Sequence, residues 1–325
     1  MVKRFELLNN SLVESESAES PILVFVNPDT PEKNMLLSSF AIDEHTLLSA
    51  LDPDEVSRIE IDADTLSLIW KRPLNYSGQD NFYFNVGSVG LFLFKDRLAV
   101  VLTEDISIAP TGARKAHRPD SLLNVLLAFL YETIHHYLEH LKVIKMISRD
   151  IQRKINTAME NKHLIQMFNL SESLVYYANA INGNNAVLTR LRAHAEKVNF
   201  GPQILDLLDD LIIENNQCFK QAEIYSTVFS GLMDARGTLV NNNMNVLLKN
   251  LTIINVVFLP LNLIASIGGM SEFSMMTGGT DWRISYLSFF IAMVVIGWLT
   301  AFLLGKMDFA RNKLTRRKRK QRKVQ

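Results

Sequence analysis

The chain has 325 residues, 48% of them hydrophobic, with 34 Lys/Arg against 34 Asp/Glu and a formal net charge of zero. That length supports a sizeable core and more than one domain. The single cysteine, Cys218, excludes an intrachain disulfide and suits a body in a reducing compartment. The neutral average conceals a split. Lys306 to Gln325 holds ten Lys/Arg and one acid, Asp308, for a net +9, and the remainder, with 24 basic and 33 acidic residues, is −9. An acidic body with a basic tail points to a membrane or nucleic acid. No basic patch followed by an apolar run opens the chain, so no signal peptide is expected.

To about Arg118 the pattern predicts mixed α/β structure. Runs rich in Val, Ile and Phe predict strands at Ile22–Val26, Arg58–Ile61, Leu66–Trp70, Phe82–Phe84, Val89–Phe94 and Leu98–Leu102. Turn signals bound them at Asn27-Pro28-Asp29, Tyr76-Ser77-Gly78 and Lys95-Asp96. Ile42 to Leu51 reads as a helix ending at Asp52-Pro53-Asp54. After Pro119 helix dominates, with helices predicted at Leu122–Ala158, about Lys162–Asn182 and about Asn185–Val198. Gly201-Pro202 is a natural helix start, and the helical pattern then runs to Ile267, a rod of about 100 Å at 1.5 Å per residue. Its soluble part sets Leu205, Leu208, Ile212, Phe219, Ala222, Ser226, Phe229, Met233 and Val240 near a 3.5-residue repeat, which favours packing on other long helices.

Leu251–Met270 and Ile284–Gly305 are two runs without a charge, each about the 20 residues needed to cross a bilayer. Uncharged runs of this length seldom serve soluble cores, so the pair reads as a transmembrane hairpin. Both chain ends then lie on one side, and the basic residues after the second run place that side in the cytoplasm. The tail reads as a topology signal and anionic-lipid contact rather than a nucleic-acid arm.

One face of the first run is polar. At 100° per residue, Leu248, Thr252, Asn255, Leu259, Asn262 and Ser266 fall within about 80° of one another, and Asn245 sits beside that arc. Asparagine inside a membrane is costly unless it faces protein or water. Two readings stand: a dry helix interface joined by amide hydrogen bonds, or a water-filled pore shared by several subunits. A pore lined by uncharged oxygens suits a hydrated cation such as Mg²⁺, which gives up water reluctantly, and leucine rings between the polar rungs would close it by dewetting.

The string LTIINVVFLPLNLIASIGGMS, Leu251 to Ser271, closely resembles the first membrane helix of the CorA family of divalent-cation channels. Ser230-Gly231-Leu232 and Asp234 upstream, and Glu272-Phe273, Trp282 and the basic C-terminus downstream, fit the same pattern, as does the stretch from Ala41-Ile42-Asp43 to Pro53. The resemblance implies an α+β membrane protein: an α/β cytosolic domain (1–118), a helical stalk (119–250), a two-helix transmembrane hairpin (251–305) with an outer loop (271–283), and a basic cytosolic tail (306–325). It implies a homopentamer in the plasma membrane, the inner membrane of a bacterium, that moves Mg²⁺ or another divalent cation such as Co²⁺, Ni²⁺ or Zn²⁺. Asn245, Leu248, Leu251, Asn255, Leu259 and Asn262 would line the pore, with Leu248 and Leu251 as its constriction. Gly269, Met270 and Ser271 occupy the family's Gly-Met-Asn signature at the outer mouth, with Ser271 in place of Asn and Gly268 where an aromatic is common. Asp210 falls where the stalk carries an acid for a regulatory metal between subunits, and Asp80 is its candidate partner. Glu272 and Asp281 would attract cations to the loop. The alternative is a CorA-shaped metal sensor or scaffold that no longer conducts.

An enzyme is not expected. His136-Tyr137-Leu138-Glu139-His140 fits the H-x-x-E-H pattern of inverted zinc proteases, but no third ligand can be chosen, and a surface or interface role is the simpler expectation. Asp206, Asp209 and Asp210 gather at a helix start, where acids favour the dipole.

Overall fold

Seven strands form one mixed sheet: β1 (Val2–Leu8), β2 (Ser11–Glu14), β3 (Ile22–Val26), β4 (Arg58–Ile61), β5 (Leu66–Pro73), β6 (Val86–Leu93) and β7 (Leu98–Leu102), in the spatial order β2-β1-β3-β7-β6-β5-β4. The computed structural model describes residues 1–8, 11–17, 19–62, 65–76, 82–106, 120–157, 161–198, 200–276, 278–279 and 281–321. β3 and β7 run parallel, from Ile22 opposite Leu98 to Val26 opposite Leu102, and the other pairs are antiparallel.

The period-2 alternation of side chains divides the sheet between two cores. Ile22, Val24, Leu68, Trp70, Val89, Leu91, Leu98 and Val100 point to a core shared with long helices. These are α3 (Leu122–Thr157), α4 (Asn161–Lys197) and the first part of α5 (Pro202–Gly268). Leu23, Phe25, Ile69, Phe92, Ala99 and Val101 point the other way, onto α1 (Thr30–Ser39) and α2 (Glu44–Leu51). Two further helices complete the chain, α6 (Ser271–Met276) and α7 (Trp282–Gln321). The chain divides into two units, Met1–Met233 and Asp234–Gln325.

The β1–β2 hairpin and α1 are additions to the predicted elements. β1 interleaves Lys3, Arg4 and Glu6 with Val2, Phe5 and Leu7, so no apolar run announces it. α1 begins on a capping box: Asp29 accepts from the Glu32 N–H, and Glu32 accepts from the Asp29 N–H. Phe82–Phe84 is not a strand. Phe82 has a φ of 60°, and the buried Phe84 donates its N–H to Ser173 Oγ at 3.0 Å rather than to a ladder.

The two helices predicted on either side of Gly183-Asn184 are one, α4. Gly183 serves close approach instead of termination: a Cβ there would lie 3.0 Å from Ser57 Oγ. Beside it, buried Asn184 accepts from Ser57 Oγ at 2.9 Å and from the Lys71 N–H at 3.0 Å, and donates to the Lys71 carbonyl at 2.7 Å. Lys71 lies two residues beyond the end of β4, whose Arg58 pairs with Ile69. The side-chain amide of Asn184 therefore stands in for the missing strand, satisfying both backbone groups of Lys71.

Other buried polar groups of this unit are met in part: among the described residues Trp70 Nε1, Arg72 Nε and the Tyr137 hydroxyl are buried without a hydrogen-bond partner, while several others are held. The Lys71 ammonium donates to the Pro53 carbonyl and Ser88 Oγ, and burial lowers its pKa despite nearby Asp54 and Asp52. Arg72 donates to Glu104 at 3.3 Å. Cys218, on α5, is fully buried beside Tyr137 and Tyr177, and burial pushes its thiol up to about 12.

Candidate functional site

The second unit is built from the end of α5 together with α6 and α7. α5 and α7 are long and apolar enough to cross a membrane, and almost none of either apolar stretch is buried. In water such surfaces would be an aggregation liability; in hydrocarbon they are the expected exterior.

The two apolar helices touch along defined stripes. On α5 the less exposed residues are Ile253, Val257, Leu261, Ile264 and Gly268; on α7 they are Ser285, Phe289, Met293, Ile296, Gly297 and Thr300. A Cβ at Gly268 would lie 2.5 Å from Phe289 Cζ, and one at Gly297 would lie 3.2 Å from Leu261 Cδ1. At 100° per residue the contact stripe of α5 spans about 80°, and its centre lies roughly 180° from the centre of the Leu248–Ser266 polar set. Asn245, Leu248, Leu251, Asn255, Leu259 and Asn262 are all exposed. Thr252 satisfies itself by donating to the Leu248 carbonyl at 2.8 Å. α7 takes the opposite face and does not cover the polar one, so the dry-interface and pore readings both stand for a helix of another copy.

At the end of α5 the chain turns sharply. Gly269 donates to the Ala265 and Ser266 carbonyls and Met270 to Ile267, after which Ser271 opens α6. Met270 and Ser271 are exposed. Glu272 lies on α6. Asp281 caps α7, its carboxylate accepting from the Arg283 N–H at 3.2 Å and its carbonyl from Ile284 and Ser285.

In the first unit Asp210 is exposed on α5. Its neighbour Asp209 is held by Arg192 of α4, at 3.0 Å from Nε, and the same guanidinium binds Glu196 at 2.9 Å. Asp80 lies outside the described residues. Among the described residues no group of three or more His, Cys, Asp or Glu is arranged to hold a metal ion.

The H-x-x-E-H stretch, expected in a surface or interface role, is split between an exposed Glu139 and a buried His140. His140 is buried among Tyr76, Phe84 and Tyr177, with its Nδ1 2.6 Å from the Tyr177 hydroxyl. The His136 and His140 ring centroids are 4.3 Å apart. Glu139 lies on the exposed side and pairs with His135 at 3.5 Å. Burial, reinforced by His136, lowers the His140 pKa to about 3, so His140 is a neutral core residue.

A mixed-sheet domain, a long helix continuing into an apolar span, and a second apolar helix before a basic end define a class of two-span membrane transporters. The chain belongs to the CorA-like Mg²⁺ transporter protein family, whose model matches residues 20–311. The cobalt/magnesium transport protein CorA of Methanocaldococcus jannaschii is 21% identical over 252 residues, covering 75% of this chain and 78% of that protein. The complete structure of the CorA magnesium transporter from the same organism matches with a TM-score of 0.72 at 20% identity, over 93% of this chain and 96% of that one. The full-length CmaX protein matches at 0.63 and 13% identity, over 83% and 86%. The fold implied by the resemblance in the sequence is the fold observed.

Proposed function

We propose that this chain is one subunit of a homo-oligomeric channel that carries Mg²⁺, or Co²⁺, Ni²⁺ or Zn²⁺, across the plasma membrane. Its pore is lined by Asn245, Leu248, Leu251, Asn255, Leu259 and Asn262. The observation that carries this is the opposition of the two faces of α5. One face packs on α7, and the polar face has no cover from it. Amides facing lipid are unfavourable; copies of α5 arranged around water resolve that, and five copies is the number the family resemblance implies. In this reading 1–118 and 119–250 are cytosolic, 251–305 spans the bilayer with 271–283 outside, and 306–325 returns to the cytoplasm against anionic lipid rather than nucleic acid.

Gly269, Met270 and Ser271 form the outer mouth. Glu272 and Asp281 concentrate cations there. Asp210, with Asp80, holds a regulatory divalent cation between neighbouring subunits. The test is influx into liposomes loaded with ion-sensitive dye. Mg²⁺ flux that the Asn255→Leu, Asn262→Leu variant abolishes supports the pore on this face. Zn²⁺ or Co²⁺ flux without Mg²⁺ keeps the pore and reassigns the ion. No flux from a folded oligomer overturns the channel and leaves a metal sensor or scaffold, which the Ser271 departure favours.

A further inference from the structure

Three of the buried groups left without a partner among the described residues are donors on facing elements: Trp70 Nε1 and Arg72 Nε on β5, and the Tyr137 hydroxyl on α3. Trp70 and Arg72 are two residues apart, so both side chains leave the same face of the sheet, about 7 Å apart along the strand. Trp70 and Tyr137 belong to one core, so that face looks onto the long helices. Arg72 lies close enough to α3 for its positive charge to be felt at both Tyr137 and His136.

Arg72 is 2% exposed. A guanidinium keeps its charge inside a protein, and a buried charge is costly unless it is paired. The pairing here is thin. Glu104 accepts once, from Nη2 at 3.3 Å, and its own side chain is 44% exposed. The Pro73 carbonyl accepts from Nη1 at 3.3 Å. Burial lowers the Arg72 pKa, with Glu104 opposing.

Arg72 Nε and Trp70 Nε1 can only donate. Burial raises the Tyr137 pKa well above that of a free phenol, so its hydroxyl keeps a proton to donate. The buried side-chain acceptors without partners, Asn185 Oδ1 and Asn215 Oδ1, lie on α4 and α5 instead. A water among donors would leave its own two hydrogens without acceptors, whereas an anion only accepts. The arginine charge favours the anion as well. Trp70 and Tyr137 are fully buried, which suits an anion of one atom rather than a strongly hydrated oxyanion.

We propose that Arg72, Trp70 and Tyr137 form an internal binding site for a halide ion of the size of chloride, between β5 and α3. The halide completes the pairing of a charge that Glu104 meets from one side only. Nothing in this depends on whether the second unit conducts.

The experiment is thermal unfolding of the full-length protein in detergent, in sodium chloride and in sodium gluconate at equal ionic strength, so that screening is the same in both. A ligand that binds only the folded state stabilises by mass action. The Tm of the unmodified protein is therefore expected to rise with chloride, and bromide is expected to replace it. Tyr137→Phe removes one donor: the chloride Kd fitted to that rise is expected to weaken about tenfold, as for loss of one hydrogen bond to a charged group. Trp70→Phe is expected to weaken it similarly. In gluconate Tyr137→Phe is expected to melt no lower than the unmodified protein, because it deletes a hydroxyl that no protein group answers. Glu104→Gln withdraws the competing carboxylate and is expected to tighten the Kd. A Tm indifferent to the choice of chloride or gluconate overturns the site and leaves Arg72 to Glu104 alone. A chloride response that Tyr137→Phe and Trp70→Phe both leave intact also overturns it, since the halide then binds elsewhere. So does a Tyr137→Phe protein that melts lower in gluconate, because its hydroxyl then has another partner.

Discussion

The two units of this chain treat polar groups in opposite ways. In Met1–Met233 several are settled inside the chain: Asn184 completes a strand edge, Lys71 is held by a carbonyl and a hydroxyl, and Arg72 meets Glu104. In Asp234–Gln325 one helix presents asparagines on the face that α7 leaves uncovered. Much of the first unit's polarity is thus finished within the chain, whereas the second leaves one polar face that α7 does not cover, and that unfinished face is where function is to be sought.

The largest effect expected from breaking this contrast is on the unfinished side. Asn255→Leu with Asn262→Leu abolishes cation influx but leaves the thermal unfolding of the first unit unchanged, because no residue of that unit's core is altered. Next comes the finished side. Asn184→Leu leaves the N–H and carbonyl of Lys71 buried without partners; at about 1–3 kcal/mol for each orphaned group the loss is roughly 2–6 kcal/mol, read as a lower denaturation midpoint in detergent.

Acid sharpens the contrast further. The His140 pKa is lowered to about 3 by burial, against 6.5 for a free imidazole. Between those values the unfolded chain binds the proton that the folded one refuses. Stability therefore falls as pH drops from about 6.5 to about 3, with a ceiling on the order of 5 kcal/mol. Thermal melts at a series of pH values check this, and His140→Leu is expected to flatten the slope. The smallest effect belongs to the rim of the first unit: Arg192→Ala removes an exposed ion pair with Asp209 and lowers the denaturation midpoint only slightly, a difference that disappears in high salt.

How much of this was legible in the sequence depended on what kind of signal each element sends. The two uncharged runs and the Pro202 start announced α5 and α7 through length and composition, and the polar stripe followed from simple 100° arithmetic. The face that α7 would choose did not, since it depends on Gly268 and Gly297 admitting Phe289 and Leu261, a relation between distant residues. β1 escaped notice because its charges alternate with its apolar residues. α1 does send a signal, Asp29 followed three residues later by Glu32 with Pro31 between, but Asn27-Pro28-Asp29 reads first as a turn and masks it. Gly183 lies between the two helices expected in this stretch, and glycine weakens helices, yet in α4 it is the small residue that lets Ser57 approach. His136 and His140 matched a metal-binding spacing, and only the tertiary structure revealed that aromatic rings surround His140.

The seclusion of Cys218 has a practical corollary. The protein carries one thiol, fully buried and held protonated at neutral pH by its surroundings. Reagents that need a thiolate will find it only during excursions in which α5 parts from the rings of Tyr137 and Tyr177. The rate at which a thiol reagent modifies the native protein is thus a clock for breathing of the stalk, wound by a single atom and readable without any added label.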